Sequence, residues 1–171
     1  MATAGWRNRL LAMLAILAAA AVAGCTGMNG QQPLNAETLH ADQNCGGSQE
    51  EASLRIITDG DSFDQAVKWM GRHTVGGEQE IARPEFDDTL AVLIEMGQKP
   101  TGGYGVALRE HEVTIEGDAA ILRLEWAEPA ADSAVTLALT SPCALIALPQ
   151  GDYQRIIGID QDGNRRVAAE R

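Results

Sequence analysis

The segment that most constrains the fold is an apolar run in the middle of the chain. Residues 90–96 read Leu-Ala-Val-Leu-Ile-Glu-Met, so an extended strand here would be apolar on both faces except at Glu95. Strands of this kind are typical of sheets that are covered on both sides. We therefore predict a central buried strand, in a chain long enough to form one domain with a substantial core.

Several shorter segments around this run alternate apolar and polar residues, as strands with one wet face do. Gly117 and Asp118 separate two of them and predict a hairpin. The predicted strands are Leu54–Ile57, Val106–Leu108, Val113–Glu116, Leu122–Trp126, Val135–Leu139, Cys143–Leu148 and, more weakly, Arg155–Ile159.

One helix is predicted ahead of most of these strands. Ser62 with Gln65 three residues later forms a capping-box pattern, which marks a helix start. Apolar residues then recur at helical spacing: Phe63, Ala66, Val67 and Met70. We predict a helix over Ser62–Met70, with its aromatic residues, including Trp69, in the core. The predicted fold class is α+β, a single domain with one early helix packed on a mainly antiparallel sheet.

The two ends of the predicted domain differ in composition from its middle. Residues 25–52 are rich in Gly, Gln, Asn, Ser and acidic residues, and such a segment cannot repay its ordering entropy through apolar burial. We predict a flexible tether over 25–52, an α+β domain over 53–160 and a polar C-terminal tail over 161–171.

The N-terminus has the layout of an export signal. Arg7 and Arg9 precede the apolar run Leu10–Ala23, which is too short for a bilayer core that needs roughly 20 residues. A positive start, a short apolar middle and small residues at its end are typical of a cleaved signal peptide. We assign residues 1–24 to this signal.

The end of the signal resembles the bacterial lipobox, because Val22, Ala23 and Gly24 lead directly into Cys25. The resemblance implies cleavage before Cys25, a diacylglyceryl group on its sulfur and acylation of the new amino terminus. Such a multiply acylated cysteine anchors a soluble domain firmly. Thr26 stands where an aspartate would resemble an inner-membrane retention signal. The expected location is therefore the outer membrane, facing the periplasm.

The charge balance excludes one class of partner. The precursor has a formal net charge of −11, and residues 1–24 carry two of its 13 Lys and Arg and none of its 24 Asp and Glu. The mature chain therefore carries −13. A surface this acidic, without a basic cluster apparent in the sequence, predicts no nucleic acid binding.

Two cysteines remain once Cys25 is assigned to lipid. Cys45 and Cys143 are an even pair in an exported, oxidising setting, and we predict a disulfide between them. The alternative is two reduced cysteines. No metal site or cofactor is expected, because the three histidines are scattered singly: His40, His73 and His111.

The most distinctive stretch runs from Met96 to Val106, Met-Gly-Gln-Lys-Pro-Thr-Gly-Gly-Tyr-Gly-Val. With the buried strand before it and the segments Val135–Leu137 and Thr140–Pro149 after it, this stretch resembles the C-terminal domain of the PrcB family. The resemblance covers roughly residues 85–149. It implies a lipoprotein that is needed for the stability or activity of a partner protease.

The loop within this stretch has two interpretations. Proline and adjacent glycines suit a tight turn between strands, and Tyr104 would then pack against the domain. Alternatively the loop contacts a partner through Lys99, Pro100, Thr101, Gly102, Gly103 and Tyr104. It also faintly resembles the Pro-Thr-Thr-Gly-Tyr loop of chagasin-like inhibitors of cysteine proteases.

The sequence shows no catalytic constellation, since no serine or cysteine stands in a nucleophile context and no acidic pair has a histidine partner. We predict a non-enzymatic envelope lipoprotein that binds another envelope protein and stabilises a protease complex. The alternatives are a chagasin-like protease inhibitor and a small-ligand binder with a pocket between the helix and the sheet.

Overall fold

Residues 33–73 and 80–171 are described by a computed structural model. The predicted signal peptide, the lipidation site Cys25 and the first part of the predicted tether, residues 25–32, lie outside the described residues. No helix in the described ranges is long and apolar enough to span a bilayer.

The described residues form ten β-strands and one α-helix. In chain order they are Leu34–Asn35 (β1), Glu37–Asp42 (β2), Ser53–Ile57 (β3), Gly60–Gly71 (α1), Thr89–Glu95 (β4), Gly105–Leu108 (β5), Glu112–Glu116 (β6), Ala119–Ala127 (β7), Cys143–Pro149 (β8), Arg155–Ile159 (β9) and Arg165–Glu170 (β10). The strands belong to two sheets.

The first sheet has four strands in the order β2-β8-β4-β3, and all its neighbouring strands are antiparallel. Its centre contains β4, the predicted buried strand. That prediction is confirmed, because every side chain from Leu90 to Ile94 is at most 1% exposed. Successive residues of β4 point to opposite faces of the sheet and enter two different cores.

The second sheet has the order β1-β6-β7-β9-β10, and β5 pairs with the C-terminal part of β7. The pair β7–β9 is parallel, whereas the remaining pairs are antiparallel. The predicted β6–β7 hairpin is confirmed, with Gly117 at φ +62° in its turn.

The larger core joins residues from both sheets. One face of β4 and β8 packs against β7 and its neighbours, which removes this apolar surface from water. Its large and most completely buried members include Leu90, Ile94, Met96, Leu122, Leu124, Ile146, Leu148 and Tyr153.

The smaller core lies on the other face of the four-stranded sheet, where α1 contributes Phe63, Ala66 and Met70. The helix begins earlier than predicted, because the side chain of Asp59 accepts a hydrogen bond from the backbone N–H of Ser62 at 2.8 Å and caps it. Trp69 was expected in the core but is 41% exposed.

The predicted fold class, α+β with one early helix packed on a mainly antiparallel sheet, is wrong. The described chain is predominantly β, with two sheets and a single helix that lies between β3 and β4. The prediction counted only strands with an apolar pattern of their own. Polar strands such as β2 and β10 form because their backbone groups pair with neighbouring strands.

Three local predictions are corrected for related reasons. Residues 34–42, assigned to the flexible tether, form β1 and β2. Residues 165–170, assigned to the polar tail, form β10 and bury Val167. Conversely, the predicted strand Val135–Leu139 is a loop segment, because its alternating apolar side chains have no sheet face to cover.

The predicted disulfide between Cys45 and Cys143 is confirmed. Both cysteines are at most 1% exposed and belong to the smaller core. The bond joins the segment after β2 to the first residue of β8 across 98 positions of sequence. It therefore restricts a large loop in the unfolded chain.

We expect the double variant Cys45→Ala/Cys143→Ala to lose about 2–5 kcal/mol of unfolding free energy, because a loop this long has a large closure entropy. Urea unfolding of the oxidised protein measures the loss. A reductant should destabilise the parent chain and leave the variant unchanged. Equal stability of the two oxidised proteins would contradict this expectation.

The turn between β9 and β10 is organised by the carboxylate of Asp160, whose side chain is buried. It accepts hydrogen bonds from the backbone N–H groups of Asp162 and Asn164 at 2.9 and 2.8 Å, and from Nε of Arg166 at 2.7 Å. Burial raises the pKa of Asp160, but these hydrogen bonds to its charged form outweigh burial and lower the pKa to about 2.

Because this pKa lies below the ordinary value of 3.8, ionised Asp160 stabilises the fold above that value, and the contribution is lost as pH falls toward 2. We expect Asp160→Asn to be less stable than the parent at neutral pH and to lose less stability on acidification through this window. Urea unfolding at a series of pH values measures both. Exposed Asp132→Asn is the control, and an equal acid response in all three proteins would contradict the assignment.

Candidate functional site

The predicted contact loop, residues 99–104, is fastened to the segment 134–139 and to Thr140. The backbones of Lys99 and Thr140 exchange two hydrogen bonds, of 2.8 and 2.9 Å. The Thr140 hydroxyl donates a hydrogen bond to the backbone carbonyl oxygen of Thr101 at 2.8 Å. The backbone N–H of Gly102 donates to the backbone carbonyl oxygen of Thr136 at 2.9 Å. The loop and the segment therefore form one surface with a defined shape.

The two glycines of the loop allow this close approach. A Cβ atom on Gly102 would lie 2.6 Å from Oγ1 of Thr136, which is too close for a carbon–oxygen contact. Gly103 has φ +87°, and a Cβ atom there would lie 3.0 Å from Cβ of Pro129 and 3.1 Å from Cγ1 of Val135. Side chains at either position would push the loop away from the segment.

Tyr104 is half-buried and packs against the larger core, and Nζ of Lys99 lies 5.7 Å from the centre of its ring. This is the arrangement expected for a turn with a packed tyrosine. Pro100 and Gly103 are exposed. The tip of the loop is therefore exposed to solvent, while Tyr104 packs beneath it against the core.

The most exposed large apolar side chains lie beside the loop, on the 134–139 segment. Leu137 is 91% exposed and Leu139 is 66% exposed. The sequence prediction missed this surface, because the alternation of Val135, Leu137 and Leu139 also fits a strand with a buried face. The two leucines are exposed because no element within residues 33–73 and 80–171 covers them.

The described groups with shifted pKa values have structural roles. Hydrogen bonds to Ser62 lower the pKa of Asp59 at the helix cap, and a hydrogen bond from Arg155 lowers the pKa of Asp118. Burial raises the pKa of Tyr153, whose hydroxyl donates to a backbone carbonyl at 2.7 Å. In the described ranges, no three His, Cys, Asp or Glu residues are grouped so as to hold a metal ion.

Apart from the loop surface, the structure has a concave feature between α1 and the four-stranded sheet. It is a groove of about 660 Å³ whose lining includes residues 47–49, ahead of β3. A pocket between the helix and the sheet was predicted only as part of the small-ligand alternative. The groove's lining comes from β3, β4, α1 and residues 47–49, so no single stretch of sequence indicates it.

We expect Gly103→Ala to reduce the unfolding free energy by about 2 kcal/mol, and Gly117→Ala by about 1 kcal/mol. Both glycines have positive φ, which disfavours alanine by about 1–2 kcal/mol. Only Gly103 adds a close contact, since nothing lies within 4 Å of a Cβ atom on Gly117. Urea unfolding compares the two variants, and equal losses would show that the loop is not held against the 134–139 segment.

Comparison with known proteins identifies the part of the chain that carries this surface. Residues 90–149 match the family described as PrcB C-terminal. No curated protein and no solved structure shows significant similarity to the chain. The matched residues extend from β4 through β8 and include the 99–104 loop and the 134–139 segment. The match to the PrcB C-terminal family over residues 90–149 confirms the resemblance predicted from the sequence.

Proposed function

We propose that this chain is a non-enzymatic accessory protein of the cell envelope that binds and stabilises another envelope protein. Its partner contacts the surface formed by the 99–104 loop and the 134–139 segment. The family match supports a protease as the partner, because the name PrcB refers to a subunit of a protease complex. The same match covers the proposed contact surface.

The observation that carries the proposal is the exposure of Leu137 and Leu139. Each leucine that passes from water into an apolar contact contributes roughly 1.5–3 kcal/mol. The two residues lie two positions apart on the segment that is hydrogen-bonded to the loop, and both are exposed beside it. They provide a compact apolar contact for a partner protein.

The rigidity of the surface supports the same role. Hydrogen bonds hold Gly102 to Thr136 and Lys99 to Thr140, so the leucines stand on a segment that is already ordered. A preformed surface loses little conformational entropy on binding. Affinity then follows from the apolar contact and not from loop ordering.

The proposed location is the envelope, with Cys25 acylated and the domain facing the periplasm from the outer membrane. The lipobox-like sequence Val22–Cys25 and the threonine after it support this location. An acylated anchor confines the domain to the membrane surface, which raises its effective concentration near a membrane-associated partner.

We expect Leu137→Ser/Leu139→Ser to lose the partner, because the variant removes two apolar contacts. In cells that produce the full chain, crosslinking, isolation in mild detergent and mass spectrometry identify what is bound. Recovery should fall by about tenfold or more relative to the parent. Ile115→Ser is the matched control, since Ile115 is 43% exposed on β6, away from the loop, and this variant should retain the partner.

The same strains separate an accessory from an inhibitor. If the chain stabilises a protease, the amount and activity of that protease should fall in the leucine variant. If the chain inhibits it in the manner of chagasin-like proteins, activity should rise. Retention of the same proteins by the parent, the leucine variant and the Ile115 control would refute the proposed contact surface.

A further inference from the structure

The groove between α1 and the four-stranded sheet has its own chemistry. We call it the helix–sheet groove. Its floor includes residues of β3 and β4, one wall is α1 and the rim is residues 47–49. The residues that decide its chemistry are Arg55, Lys68, Trp69, Arg72, Ser53 and Glu95.

Three cations line this groove without acidic partners. Within residues 33–73 and 80–171, Arg55, Lys68 and Arg72 form no ion pair. Five other arginines each pair with a carboxylate: Arg83, Arg109, Arg123, Arg155 and Arg166. Lys99, Arg165 and Arg171 also form no ion pair with a described residue, so the groove is distinguished by having three such cations in one lining.

The charge of the groove is positive. Its one acidic lining residue is Glu95, which accepts a hydrogen bond from the hydroxyl of Ser53 at 3.4 Å. Lys68 near the end of α1 also suits the negative pole of the helix dipole. That explanation does not extend to Arg55, which projects from β3 on a different element. Two elements thus converge to make one cationic site.

Trp69 adds a flat apolar ring surface beside these charged side chains. Its indole is 41% exposed, the guanidinium carbon of Arg72 lies 5.2 Å from its ring centre, and the ring of His73 lies at 4.9 Å. At this distance Arg72 makes a cation–π contact with Trp69, and its guanidinium forms no ion pair with a described residue. Exposed tryptophan next to arginine is a frequent composition of protein-binding hot spots.

The groove is connected to the proposed contact surface. A smaller cavity of about 280 Å³ beside it is lined by Leu139 and Thr140, and both concavities share Gly47 and Ser48 in their lining. An extended chain that entered the groove could therefore continue toward the exposed leucines. This continuity favours an extended polypeptide over a compact small molecule.

The negative net charge of the chain does not prevent an acidic ligand from binding in the groove. Charges more than about 8 Å apart are largely screened at physiological ionic strength. A carboxylate in the groove would therefore interact mainly with the charged residues of the groove lining, which are Arg55, Lys68, Arg72 and Glu95. Binding should accordingly weaken when added salt screens the groove itself.

We propose that the helix–sheet groove binds an acidic, extended segment of a protein partner, with carboxylates on Arg55, Lys68 and Arg72 and an apolar group on Trp69. This inference rests on the proposed function in one respect, which is that the ligand is a protein. It assigns the partner a chemistry that the leucine surface does not specify.

The test uses the full chain in mild detergent and two fluorescein-labelled probes, hexaglutamate and hexaglutamine, both with amidated C-termini. Fluorescence anisotropy should show hexaglutamate binding at least about tenfold more tightly than hexaglutamine, as expected for charge-assisted hydrogen bonds. Arg55→Gln/Arg72→Gln should lose at least about tenfold in hexaglutamate affinity. Arg165→Gln is the matched control, because Arg165 is an exposed arginine of β10 with no ion pair to a described residue, and it should bind as the parent does.

Several results would overturn the inference. One is equal affinity for the two probes. Another is an equal loss of hexaglutamate affinity in the double variant and in Arg165→Gln. Circular dichroism checks that every protein is folded. The groove is also tested with an anionic lipid headgroup. Detergent micelles doped with phosphatidylglycerol are added, and binding is measured by tryptophan fluorescence. Binding of the doped micelles that depends on Arg55 and Arg72, without binding of hexaglutamate, would assign the groove to a lipid headgroup and also overturn it.

The cellular crosslinking experiment keeps the two proposals apart. If Arg55→Gln/Arg72→Gln retains the partner that Leu137→Ser/Leu139→Ser loses, the groove inference fails and the proposed function stands. If both variants lose the partner and Arg165→Gln keeps it, the groove and the leucine surface both contact it. If the leucine variant retains every protein while hexaglutamate still binds in the groove, the proposed contact surface fails alone.

Discussion

The pairing of β4 with β8 is the interaction on which the rest of the structure depends. These antiparallel strands lie in register from Thr89 opposite Pro149 to Glu95 opposite Cys143. Both are apolar on each face, so the pair contributes to the core between the sheets and to the core beneath α1. The disulfide from Cys143 to Cys45 then ties the segment after β2 to the same pair. Disrupting this pair would expose both cores at once.

The same pairing explains why the candidate surface lies where it does. Because β4 and β8 are antiparallel, the end of one strand lies beside the start of the other. The chain leaving β4 enters the 99–104 loop, and the chain entering β8 comes from the 134–139 segment. Segments separated by some 35 residues in sequence therefore meet as neighbours at one end of the sheet, where Lys99 and Thr140 pair.

The leucine surface and the helix–sheet groove, the two proposed binding features, differ in the chemistry that a partner must present to each. Leu137 and Leu139 offer apolar area, which supplies affinity without strong directional preference. Arg55 and Arg72 offer directed donors, which discriminate by charge and geometry. Protein interfaces commonly combine an apolar centre with charged groups that set specificity. The shared rim at Gly47 and Ser48 makes that combination available to a single partner segment.

The sequence by itself determined those features that depend on local pattern: the buried strand β4, the β6–β7 hairpin, the apolar face of α1, the disulfide and the resemblance of residues 90–149 to the PrcB C-terminal family. Tertiary structure decided which faces are covered. The polar β2 became a strand because β8 offered it a hydrogen-bonding edge, whereas Val135–Leu139 has a strand-like pattern but no sheet face to cover. The groove required Arg55 and Arg72 to be brought together from different elements. Periodicity reports which side chains would gain from burial, but only the assembled neighbours determine whether burial, exposure or a charged cluster results.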